Sequence, residues 1–188
     1  MMFSAFRIAL IATAVALSGP ALARTLKKPA PPAPAVAPAP AAAQPNSLGQ
    51  FGDWQAFTNG TGKAKSCFAI TSPKDRKPAK LQRDPATLFI TRRPGEGVRN
   101  EISMITGFTM KDGGDATIKV GRSSFALYTK GSNAWIKNAA EEGTAVGTMR
   151  KSRELIFEGA SKRGNKTVDR YSLQGLPQAL DAIAKGCP

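Results

Sequence analysis

Residues 101–110, EISMITGFTM, set the fold class of this chain. Ile102, Met104, Thr106, Phe108 and Met110 alternate with mostly polar neighbours, the period-two signature of a half-buried strand. Lys111-Asp112-Gly113-Gly114-Asp115 is a turn, and Ala116, Ile118 and Val120 then alternate again. Beyond a turn at 121–123, Phe125 and Leu127 continue the pattern.

Short strands recur on both sides at intervals near ten residues. Upstream, 52–58 and 66–71 form a predicted hairpin around Asn59-Gly60-Thr61-Gly62, and 87–92 is a compact apolar run ended by Pro94-Gly95. Downstream, 133–137 carries Trp135 on a short strand, and 155–159 with 167–173 form a second hairpin joined through Lys162-Arg163-Gly164-Asn165. Two helices interrupt this pattern. Glu141-Glu142 early and Arg150-Lys151 late suit the dipole of a short helix near 139–151. At the C-terminus Pro177 fits a first turn, Leu176, Ala179, Leu180 and Ile183 share one face, and Gly186 is a stop. The expected class is mainly β: an antiparallel β-sandwich with a short helix near 139–151 and a C-terminal helix packed on the sheet.

The first fifty residues have another texture. Ile8 to Leu17 is uninterrupted and apolar, Gly19-Pro20 breaks it, and Ala21-Leu22-Ala23 supplies the small residues that signal peptidase accepts. The apolar run is shorter than the roughly 20 residues that span a bilayer. Residues 1–23 therefore read as a signal peptide cleaved near Ala23, giving a periplasmic or secreted protein without a transmembrane segment. Residues 24–50 are rich in Pro and Ala, and read as a disordered, semi-rigid linker reaching up to roughly 80 Å. Residues 51–188 suit one domain.

That domain carries 23 of the 27 basic residues and all 13 acidic ones, a net charge of 23 − 13 = +10. Basic clusters fall at Lys74-Arg76-Lys77-Lys80-Arg83, Arg92-Arg93-Arg99, Arg150-Lys151-Arg153 and Lys162-Arg163-Lys166-Arg170. Such a surface attracts anionic partners. Nucleic acid is not expected, because an exported chain does not meet it and no groove-reading motif accompanies the charge.

No enzyme constellation is legible. The chain has no histidine, which excludes histidine-based triads and the usual zinc sets, and no nucleophile-elbow or phosphate-loop pattern is present. Asp112 and Asp115 read as turn residues rather than calcium ligands, since few other oxygens surround them in sequence. No cofactor is implied. Cys67 and Cys187 form an even pair in a chain read as exported, and a structural disulfide is expected. The rival, a catalytic thiol, lacks a histidine base and a Cys-x-x-Cys partner.

Several fragments carry a resemblance. They are Phe51-Gly52-Asp53-Trp54, Ser66-Cys67-Phe68, Arg83-Asp84-Pro85, Gly97-Val98-Arg99-Asn100-Glu101 and Asn133-Ala134-Trp135-Ile136-Lys137. The ending Tyr171-Ser172-Leu173-Gln174-Gly175-Leu176 with Cys187 completes the set. In this order across 51–188 the chain resembles the invasion-associated locus B family of alphaproteobacterial envelope proteins. The resemblance implies a secreted or envelope β-sandwich, linked in some bacteria to host-cell entry, with no enzyme activity and no established ligand. Many members carry a further cysteine close behind the opening Phe-Gly-Asp-Trp; this chain has Ala56-Phe57 there and resembles a cysteine-poor branch.

The expectation is a non-catalytic envelope protein that contacts anionic envelope or host-surface macromolecules. Its alternative is a periplasmic module for an anionic ligand such as lipopolysaccharide or a cell-wall fragment. Arg92, Arg93, Arg99 and Trp135 are the candidate binding residues. A small-ligand site needs a concave pocket with convergent polar groups, whereas macromolecular contact needs only an open face.

Overall fold

The computed structural model describes residues 44–188. The signal-peptide reading of 1–23 and the linker reading of 24–43 lie outside the described residues. Eleven strands follow in chain order: β1 (Asn46–Phe51), β2 (Trp54–Asn59), β3 (Ser66–Thr71), β4 (Asp75–Lys77), β5 (Thr87–Arg93) and β6 (Val98–Ile105). After them come β7 (Ala116–Val120), β8 (Ser123–Lys130), β9 (Asn133–Ile136), β10 (Glu154–Ala160) and β11 (Lys166–Ser172). Helix α1 (Glu142–Met149) separates β9 from β10, and α2 (Leu176–Gly186) ends the chain.

All strands join one antiparallel sheet in the order β1-β2-β3-β5-β6-β9-β8-β7-β10-β11-β4. The mainly β, antiparallel class with a C-terminal helix on the sheet is as expected. The two layers, however, belong to one sheet that curls on itself. Strands β2 and β11 stand second and tenth in the order, yet Trp54 Nε1 donates to the Ser172 carbonyl at 3.0 Å and the Asp53 amide donates to Gln174 at 3.1 Å.

Alternation fixes the inner face. Trp54 and Ala56, Cys67 and Ala69, Leu88 and Ile90, Ile102 and Met104 are buried, as are Ile118, Leu127, Leu155, Phe157 and Tyr171 across the curl. Helix α2 lies on this face, burying Leu176, Ala179, Leu180 and Ile183. Each of its large aliphatic side chains contributes roughly 1.5–3 kcal/mol of burial. Its entry depends on Gly175, whose φ of 88° brings it against the Phe51 carbonyl, where a Cβ would collide. Its exit is fixed by the Cys67–Cys187 disulfide, with Cα atoms 5.9 Å apart and a sequence separation of 120.

Three local readings change. The folded domain starts by Asn46, not Phe51, because 46–51 pairs with β2 and lays Leu48 and Phe51 against the core; the proline-rich composition ends at Pro45. The strand read through Met110 stops at Ile105. Gly107, at φ 72°, turns the chain so closely past the Asp84 carbonyl that no Cβ fits, and Met110 returns only as an isolated bridge to Ser161. Finally, Asp75–Lys77 inside the basic loop forms β4 on the edge of β11.

Candidate binding surface

The four residues singled out by sequence fall into three environments. Arg92 turns to the helix side, where its Nε donates to the Cys187 carbonyl at 3.0 Å. With Arg99 and Pro188 it borders a hollow of about 150 Å³, too small for most organic ligands. Arg93 forks onto Glu101 at 3.0 and 2.8 Å and also reaches Glu96 at 2.8 Å. These carboxylates, Glu101 foremost, raise its pKa, so Arg93 clasps the β5–β6 connection rather than presenting a free cation. Trp135 lies on β9 between buried Ala134 and Ile136, and so faces outward. The fold therefore unites Arg92 with Arg99 and separates both from Trp135.

What surrounds Trp135 was not visible along the chain. On the outer face Trp135 stands opposite Tyr128 on one side and Ser103 on the other. Ser103 pairs with Phe89, Phe89 with Ile70, and Phe68 with Phe57. Phe57 and Phe68 stack with centroids 5.5 Å apart, Phe68 and Phe89 are at 6.3 Å, and Tyr128 and Trp135 are at 6.4 Å. Phe57, Phe68 and Phe89 thus run across β2, β3 and β5, Ser103 on β6 separates them from the Trp135–Tyr128 pair on β9 and β8, and Ile105 on β6 is 40% exposed. Tyr128 is 47% exposed. Lys130 and Lys137 flank the Tyr128–Trp135 pair, and neither forms an ion pair with a described residue. From Ala116 to Ala140 the sequence contains no acidic residue.

One sequence signal points to this face. If Cys67 bridges to an amphipathic helix, it must point inward, and Phe68 and Ile70 must then point outward.

A second surface arises where two basic clusters meet. β4 pairs with β11, setting Lys77 against Val168 and Asp75 against Arg170. Beneath them lies fully buried Asp169, bound by Arg83 Nη1 at 2.7 Å and Arg76 Nε at 3.1 Å. Arg76 also donates to the carbonyls of Asp84 and Thr106, each at 2.8 Å. Beside this triad Tyr171 is buried with its hydroxyl unpartnered among the described residues, and burial raises its pKa. Arg83, Phe108 and the β10–β11 turn with Lys162 and Arg163 enclose a cleft of about 410 Å³.

Among the described residues no group of three or more His, Cys, Asp or Glu could hold a metal ion, and no helix is long and apolar enough to cross a membrane. Compared with protein-family models, curated proteins and solved structures, the chain shows no significant match.

Proposed function

We propose that this chain is an exported, non-catalytic envelope protein of the invasion-associated locus B kind, whose outer sheet face contacts anionic envelope or host-surface macromolecules. The observation that carries this reading is exposed Tyr128 packed beside half-buried Trp135 on the outer face, between two lysines that have no carboxylate partner among the described residues. Large exposed aromatics on a soluble domain mark interaction surfaces. An open sheet face with unpaired lysines suits an extended anionic partner better than a small molecule, and the net charge of +10 over 51–188 steers such partners toward it. The signal-like N-terminus and the Cys67–Cys187 disulfide support an oxidising location.

Two measurements test the reading. N-terminal sequencing of the periplasmic fraction should give Arg24 as the first residue; a chain still starting at Met1 would overturn export. Retention of the purified protein on whole envelopes should fall at least about tenfold for Tyr128→Ala/Trp135→Ala. It should fall similarly for Lys130→Glu/Lys137→Glu, with melting temperatures unchanged. Undiminished retention of both variants would remove the outer face from the function.

A further inference from the structure

We propose that the cleft between the loop after β4, the loop after β6 and the β10–β11 turn is a binding site for a phosphomonoester carried on a sugar-sized ring. Its volume of about 410 Å³ lies within the ~300–1,000 Å³ of small-molecule sites, and it is larger than a bare anion requires.

The walls are held in place by the backbone. The Lys162 amide donates to the Thr109 carbonyl at 2.9 Å, and Met110 bridges Ser161. The Asp84 amide donates to Gly107 at 2.9 Å, and Arg76 ties the Asp84 and Thr106 carbonyls together from behind. A site fixed in this way loses little entropy when a ligand enters.

Charge selects the ligand class. No Asp or Glu lines the cleft, while Arg83, Lys162 and Arg163 do. Asp169 sits behind the wall and is shared by Arg76 and Arg83, so two guanidiniums face one carboxylate and one positive charge is left over. Arg83 gives one N–H to Asp169 and makes a long 3.5 Å contact to the Pro78 carbonyl; with its side chain 3% exposed it backs the wall, and the cations that can reach a ligand are those of the β10–β11 turn. Lys162 and Arg163 are exposed and have no ion-pair partner among the described residues. Two unpaired cations on the cleft, Lys162 and Arg163, backed by the one charge left over in the Arg76–Arg83–Asp169 triad behind the wall, match a phosphate dianion, whose second pKa is about 6, better than a monovalent carboxylate. Phe108 and Leu81 supply an apolar wall for the ring, and Gln82 and Asn165 supply groups for its hydroxyls.

Glucose 6-phosphate is the probe, titrated calorimetrically into the full-length protein. Saturable binding is expected, with glucose silent and inorganic phosphate weaker. Lys162→Ala/Arg163→Ala should weaken binding at least about tenfold, as for loss of a charge-assisted hydrogen bond. Arg122→Ala/Lys151→Ala removes the same charge at the opposite end of β7 and should leave affinity nearly unchanged, because it lies beyond a Debye length of about 8 Å. Phosphatidylcholine vesicles bearing phosphatidylinositol 4-phosphate separate the two sources of the ester. Recruitment reversed by glucose 6-phosphate supports a lipid-borne headgroup in this cleft, and absence of recruitment alongside soluble binding supports the free ester. No saturable binding of either probe, equal binding of glucose, or equal weakening by the control pair would overturn the site. None of these outcomes depends on the outer face.

Discussion

Arg83 reaches across 86 positions of sequence to place its Nη1 2.7 Å from the carboxylate of Asp169, and both side chains are nearly or fully buried. With Arg76 on the second oxygen, this carboxylate joins the loop after β4 to β11. It also anchors the back of the basic cleft.

Removing the shared acid leaves two guanidiniums without their counter-charge. Asp169→Ala is expected to destabilise the domain by about 3–5 kcal/mol, as for other broken buried pairs. Urea denaturation of wild type and variant measures it; a difference below about 1 kcal/mol would show that solvent reaches the triad freely.

The disulfide anchors an 11-residue helix that would be marginal alone. Cys187→Ser and Cys67→Ser should each lower stability by about 2–5 kcal/mol. The double variant should be little worse than either, since both delete one bond. Free-thiol titration of the unfolded, unreduced protein should find no reactive thiol.

Strand β1 makes truncation a sharp test of the domain boundary. Deleting Lys27 to Gln44 should leave the melting temperature nearly unchanged, because the segment is almost all Pro and Ala. Extending the deletion through Gln50 removes β1 and Leu48 from the core and exposes the edge of β2, and should lower the melting point by several degrees.

Acid should act partly through Asp53. Its hydrogen bond from Lys74, then that from Ser172, holds its carboxyl below the ordinary 3.8. A folded pKa below the unfolded one means the stabilisation is fully present above the unfolded value and is lost as pH falls through the folded one. Asp53→Asn should therefore be less stable than wild type near neutrality, and the gap in melting temperature should close below pH about 3.8. A gap independent of pH would assign the effect to the neighbouring backbone bonds instead.

By itself the sequence determined the elements whose signals are local. Alternation in 116–120 and 123–130 placed β7 and β8, the one-sided apolar stripe of 176–183 placed α2, and two cysteines in a chain read as exported were enough to pair Cys67 with Cys187. Other features depended on neighbours distant in sequence. β1 and β4 carry no alternation of their own and exist because β2 and β11 offer unpaired edges. Thr106 to Met110 keeps the strand period, but the close approach of Asp84 to Gly107 ends the strand before it. Asp169 reads as one acid among basic residues until curling of the sheet buries it between Arg76 and Arg83. Phe57, Phe68 and Phe89 are scattered along the sequence, as are Tyr128 and Trp135, until the strand order brings each set together on the outer face. The physical reason is the same in each case: side-chain period follows from the backbone one strand at a time, whereas burial, ion pairing and surface patches depend on which strands become neighbours.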